Sequence, residues 1–289
     1  MLKEGIKKEL MFFTRSFRMW GVIIAAVLFA AASPLLMKLS FEMLSSIENM
    51  ELGGDNDLST QSINMDMEIS GSGIMGDMTD ESYMAKLGAI SALGDLTSTL
   101  MLIFMLVTMY SAGGELKKRS MIIPQNAGLS SKLYILPKFI VYPASVALFA
   151  FCGIWIGFGI SALVFGGIEI SISNIAVSAL LAAVFDAFMT VLYFTLGLCT
   201  SKAGLSVVIM YGGNVILTTL FSALGADKFH PFTLTSQAQN AVLENGFDSV
   251  NLWGSIGITV LLMVLCYFVT LFVISARRID NRGKEEMEL

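Results

Sequence analysis

Six runs of apolar residues, each long enough to cross a lipid bilayer, constrain this chain more than any other feature. They occur at Met19–Leu39, Ile90–Ser111, Phe139–Phe165, Ile172–Thr200, Leu205–Gly225 and Leu252–Ala276. At about 1.5 Å per helical residue, each run reaches across a hydrocarbon core of about 30 Å. Composition agrees, with 55% of the 289 residues hydrophobic and 14% charged, where soluble domains carry about 25% charged residues. An ordinary soluble domain is excluded, and the sequence predicts an all-α, polytopic membrane protein with six transmembrane helices. The spans use half the chain or more. The remainder, residues 40–89, 112–138, 226–251 and 277–289, then forms loops and a tail of one transmembrane domain covering 1–289.

An even number of spans places both termini on one side, and the basic residues say which. Lys3, Lys7, Lys8, Arg15 and Arg18 precede span 1, and Lys117, Lys118, Arg119, Lys132 and Lys138 follow span 2. Lys202 and then Arg277, Arg278, Arg282 and Lys284 share that side, leaving Lys38, Lys86 and Lys228 opposite. Fifteen of the 18 basic residues therefore lie on one side, which the positive-inside rule makes cytoplasmic. The run from Met19 to Met37 exceeds a secretory signal core despite Ala30-Ala31-Ala32, so it reads as a retained anchor in the cell membrane. Ahead of it, Leu2, Ile6, Leu10, Phe13 and Phe17 recur at helical spacing with lysines between them. Residues 1–18 are thus expected to form an interfacial amphipathic helix on the inner leaflet, the alternative being a helix packed on protein.

The outer segment 40–89 holds ten acidic residues and several glycines, a solvated excursion that could also draw cationic substrate away from the exit. Helical extensions of the spans are expected at Phe41–Glu51 and Thr79–Leu87. The cytoplasmic segment 112–138 contains two helix-capable pieces, one opening at Glu115 and closing at Pro124, the other capped by Ser130 or Ser131 and leading into span 3. A short helix presented between two spans is either a docking surface or a connector. Segment 226–251 carries Pro231 and then Thr235 to Gly246, a short helix returning toward the membrane.

Glu115, Pro124, Ser130 or Ser131, and Lys138 occur in the order glutamate, proline, serine, lysine opening span 3. Together with His230-Pro231-Phe232-Thr233 and the ending Ser275-Ala276-Arg277-Arg278-Ile279-Asp280, this order resembles the membrane subunits of ATP-binding-cassette exporters of the type-two permease family, the six-span type V fold. Gln125-Asn126-Ala127-Gly128 lengthens the stretch from Pro124 to Lys138 relative to that pattern. The resemblance implies that residues 1–18 are an elbow helix and that a coupling helix lies within Glu115–Tyr134. The ATPase-coupling residues would be Glu115, Lys117, Lys118, Arg119, Pro124, Ser130, Ser131, Lys132 and Tyr134. It further implies a second permease copy, a separate ATPase carrying ATP and Mg, a location in the bacterial cytoplasmic membrane and no nucleic-acid partner. The chain itself contains no Gly-x-x-x-x-Gly-Lys-Ser/Thr phosphate loop, its nearest fragment being Gly283-Lys284-Glu285. It is therefore expected to be a permease without enzymatic activity, exporting an amphipathic substrate such as a peptide or drug-like molecule.

Polar residues inside the spans mark the substrate path. Asp186 lies mid-span 4, where an acid adds about 2.5–3.5 kcal/mol to insertion, and no lysine or arginine is available at that depth. Contact with a cationic substrate, proton relay and a hydrogen bond to a neighbouring helix are all open to it. Asp95 is expected about a turn inside the outer end of span 2, and Asn214 follows Gly212-Gly213 in mid-span 5. In the family resembled, spans 2 and 5 line the path, which makes Asp95 and Asn214 cavity candidates. The intramembrane acids also admit an ion-coupled secondary transporter using Asp186. A paired-carboxylate enzyme built on Asp95 and Asp186 is disfavoured, because Ala92-Leu93-Gly94-Asp95 lacks the first glycine of the Gly-x-Gly-Asp signature and the two acids are expected at different depths. Gly153 and Gly157 would let helices approach closely. Cys152, Cys199 and Cys266 show no paired spacing, and with His230 as the one histidine no metal site is expected.

Overall fold

The computed structural model describes residues 2–15, 17–51, 81–115, 130–167, 170–223, 231–243 and 249–287. Nearly all of these residues are helical. Helix α1 (Leu2–Arg15) precedes α2 (Phe17–Glu51), which continues through the buried Pro34. Then α3 (Glu81–Asp95), a π-helical turn π1 (Leu96–Leu100), α4 (Met101–Met109) and a second π-turn π2 (Tyr110–Gly114) form one continuous rod. Helices α5 (Ser131–Val164), α6 (Ile172–Thr200), α7 (Ala203–Ala223), α8 (Thr233–Val242) and α9 (Ser249–Met287) complete the bundle.

Five helical stretches are long and apolar enough to cross a membrane: Met19–Met43, Tyr83–Gly114, Ser131–Val164, Ile172–Thr200 and Leu252–Ala276. The chain is thus a multi-pass helical membrane protein. The run expected as Leu205–Gly225 falls on α7, whose apolar stretch Ala203–Ile216 is shorter than the other five.

Two spans begin earlier than the apolar runs indicated. Span 2 was expected to open at Ile90, but its helix starts at Glu81, since the expected extension over Thr79–Leu87 is continuous with it from that point. Span 3 was expected to open at Phe139, but α5 starts at Ser131, because Ser130 caps it by accepting a hydrogen bond from the Leu133 amide on its Oγ at 3.4 Å. Of the two serines, Ser130 is the cap and Ser131 is buried in the first turn. The second helix-capable piece is therefore the first two turns of the span. The other expected extension, Phe41–Glu51, is realised as the end of α2.

Helix α6 is the axis of the bundle, with 67% of its most apolar stretch buried against 17% for Leu252–Ala276 on the periphery. Small residues make this possible. Ala179 and Ala182 are fully buried, and at Gly197 a Cβ would stand 2.6 Å from the Ala112 carbonyl oxygen. A Cβ at Gly113 would likewise stand 2.8 Å from the Gly197 carbonyl oxygen, so α6 and π2 touch backbone to backbone. Gly153 and Gly157 serve the same purpose on α5, facing Leu96 and Ala92. One short helix is unexpectedly deep. Leu234, Ala238 and Val242 of α8 are fully buried, and Phe232 at its start packs edge-on against Phe185 and Phe188, at 6.2 and 6.0 Å between ring centroids. Those phenylalanines sit midway along α6, so α8 begins in the middle of the bundle and runs about 15 Å toward one end.

Candidate functional site

The most concentrated chemistry lies where α1, π2 and α5 meet. Helix α1 turns Gly5, Glu9 and Phe13 inward, one turn apart on a single face. Gly5 permits the approach, since a Cβ there would stand 2.8 Å from the Pro137 ring. Phe13 packs edge-on against Phe104 and Tyr142. Leu2, Leu10, Met11 and Phe12 remain exposed. The helix therefore rests on the protein by one edge, as the alternative expectation has it, and leaves this apolar face uncovered. Of the predicted stripe, Phe13 is buried, whereas Leu2 and Leu10 are not.

Glu9 is carried into the protein beside Lys138, whose side chain is wholly buried. The ammonium stands 3.4 Å from Glu9 Oε1 and 3.2 Å from Glu115 Oε2. Neither contact is aligned as a hydrogen bond, so the attraction is chiefly Coulombic, reinforced by the face of the Tyr134 ring 5.0 Å away. Tyr134 donates its hydroxyl proton to Glu115 Oε2 at 2.8 Å. The Tyr142 hydroxyl lies 3.2 Å from Glu9 Oε2 and 2.7 Å from Ser111 Oγ. It has one proton, so donation to Glu9 leaves its oxygen to accept from Ser111. Tyr142 is itself fixed by stacking on Phe194, with centroids 4.7 Å apart.

This cluster joins α1, the end of the second spanning rod (α3 to π2) and the first two turns of α5 through charges withdrawn from water. The 14 residues from 116 to 129 connect two of its members, Glu115 and Tyr134. Glu115 and Tyr134, expected among the ATPase-coupling residues, are bonded to each other at the two ends of that segment, Tyr134 buried and Glu115 half-buried. Ser130 and Lys132 are exposed beside it. Lys117, Lys118, Arg119 and Pro124 lie outside the described residues. Sequence reasoning missed Glu9, Tyr142 and Ser111. The one available signal was an acid at a position of α1 that shares its face with Phe13.

A second polar region lies midway along the bundle at π1. Asp95 was expected one turn inside the end of span 2, but the helix opens at Glu81 and Tyr83–Gly114 is the apolar stretch, so Asp95 sits near its middle. It accepts a short hydrogen bond from Ser33 Oγ of α2. Tyr211 of α7 donates to the Ser98 carbonyl inside π1 at 2.9 Å. Ser91 and Ser98 on this rod and Gly212 on α7 are exposed, while Asp95 and Asn214 are half-buried. Polar groups facing outward at mid-depth are poorly suited to lipid, so this face fits a protein or water-lined neighbour. Asp186 is elsewhere. It is wholly buried on α6, neither carboxyl oxygen has a hydrogen-bond partner among the described residues, and it lies within electrostatic reach of Tyr211. The structure thus engages Asp95 and Asp186 with different groups, and only Asp95 reaches the outward-facing strip.

Cys152, Cys199 and Cys266 form no disulfide among the described residues. Among the described residues no three acids, histidines or cysteines are grouped as a metal would require. His230 lies outside the described residues. No known protein family, curated protein or solved structure matches this chain.

Proposed function

We propose that this chain is the permease subunit of an ATP-driven exporter of the type-two ATP-binding-cassette kind. In this reading α7 is span 5 and brings the spans to six, both termini are cytoplasmic, and α1 is the elbow helix on the inner leaflet. A separate ATPase seats on segment 116–129, and a second permease copy completes the path. The observation that carries the proposal is the buried Glu9–Lys138–Glu115 cluster. Desolvated charges hold one geometry, so a force applied to segment 116–129 passes into the second rod, α5 and α1 together rather than dissipating in a loose loop. The outward polar strip of Ser91, Asp95, Ser98, Gly212 and Asn214 supplies the wall that a second copy would complete. Substrate would then be amphipathic, peptide or drug-like, contacting Asp95 and Asn214 along that wall.

A second reading, an ion-coupled secondary transporter, is favoured by one observation, the Asp186 carboxyl midway along the central helix, which has no hydrogen-bond partner among the described residues. Purification from the native host in mild detergent separates the two. The exporter reading expects a stoichiometric partner with a phosphate loop and ATP hydrolysis by the complex, both lost when residues 116–129 are scrambled. Glu115 and Tyr134 are retained in that variant so that the bundle keeps its inner cluster. A stable bundle that copurifies with no ATPase would favour the secondary transporter.

A further inference from the structure

At the end of the bundle remote from α1, a groove of about 460 Å³ opens between α2 and α5. Its walls are Phe41, Leu163 and Phe165, its inner side is Met84, and Lys38 and Glu42 stand one turn apart on α2. Leu163 is 84% exposed, so the groove presents bare apolar surface to whatever adjoins it. Lys38 is its distinctive feature. The ammonium donates to the Val164 carbonyl at 3.0 Å, and among the described residues no carboxylate pairs with it. Two of its three N–H donors therefore remain for another acceptor.

The depth of Lys38 identifies that acceptor. Lys38 is 19 residues beyond Met19, where the spanning stretch of α2 begins, a rise of about 28 Å along a straight helix. With Met19 at one boundary of a hydrocarbon core of about 30 Å, Lys38 stands at the other, at the level of lipid headgroups. A cation at headgroup level with no carboxylate partner among the described residues, above an exposed apolar groove, is complementary to a phosphate attached to an acyl chain. Free phosphate would satisfy the lysine and leave the groove uncovered. We infer that this groove is a binding site for a single membrane phospholipid, its phosphate on Lys38 and one chain along Phe41, Leu163 and Phe165. The assignment is independent of the transport mechanism.

The test is native mass spectrometry of the full chain, stripped of lipid in detergent and titrated with phosphatidylethanolamine. Diacylglycerol of the same chains serves as the phosphate-free probe, and inorganic phosphate as the chain-free competitor. The wild-type protein should retain one phospholipid more tightly than the rest, diacylglycerol should not occupy that site, and millimolar phosphate should not displace it. Lys38→Gln keeps a donor for the Val164 carbonyl but removes the charge, and should weaken retention about tenfold or more. Leu163→Ser changes an exposed side chain with little consequence for folding and should also weaken retention. Equal retention by wild type and K38Q would overturn the assignment, as would equal binding of diacylglycerol. Should K38Q fail to fold, undiminished retention by L163S overturns it alone.

Discussion

Replacing Lys138 by methionine tests the central cluster most directly, because methionine keeps the unbranched stem and removes only the charge. In the intact protein the ammonium lies 3.4 and 3.2 Å from two carboxylates, each contact worth about 5 kcal/mol of Coulomb attraction at an effective dielectric of about 20. Three ions must be desolvated to make those contacts, at several kcal/mol each, so the complete cluster adds little net stability. Its value lies in the asymmetry. With Lys138 gone, Glu9 keeps its buried position and faces Glu115 without a cation between them, a loss of about 3–5 kcal/mol. Chemical or thermal unfolding in detergent, followed by circular dichroism or tyrosine fluorescence, should register this loss for Lys138→Met. Glu9→Gln leaves the Lys138–Glu115 pair intact and should be milder. The triple variant Glu9→Gln, Lys138→Met, Glu115→Gln removes every charge and should recover most of the stability while weakening the junction between α1 and α5. A Lys138→Met protein within about 0.5 kcal/mol of wild type, the range of surface substitutions, would show that water reaches Glu9 and would refute the buried-charge argument.

Two further outcomes follow from packing and burial. Gly197→Ala places a Cβ 2.6 Å from the Ala112 carbonyl oxygen and should lower stability by about 1–3 kcal/mol as α6 and π2 are pushed apart, whereas Gly21→Ala, which meets nothing within 4 Å, serves as the silent control in the same melt. Asp186→Asn should leave expression and assembly unchanged, because neither carboxyl oxygen holds a partner that asparagine would forfeit; loss of the folded bundle in size-exclusion chromatography would show that Asp186 is structural.

The helices themselves are legible in the sequence, because an apolar run of spanning length needs no distant residue to become a helix in lipid. Boundaries are legible where a local device sets them, as with Ser130 and Ser171 accepting from amides three residues on. Depth is less so. Asp95 lies toward the middle of its rod because Glu81–Gly88, expected as a helical extension outside the span, belongs to the packed rod and lies against α5, with Ser161 donating to the Ala85 carbonyl at 2.6 Å. The burial of α8 was hidden for a similar reason. Thr235 to Gly246 reads as a short helix returning toward the membrane, and its depth is set by the buried Leu234, Ala238 and Val242 together with the edge-on contacts of Phe232 with Phe185 and Phe188.

The sequence by itself determined the solvent of this protein, the number and approximate position of its apolar runs and the asymmetry of its charge, since all three depend on residues within one helix of each other. Only the tertiary structure decided which charges meet. Glu9 and Tyr142 are 133 positions apart, and Glu115 reaches Lys138 across a segment whose own residues do not reveal the pairing. A buried carboxylate and a solvated one are the same letter in a sequence. The difference between them is the set of groups that removes the water, and those groups arrive only when separate helices pack.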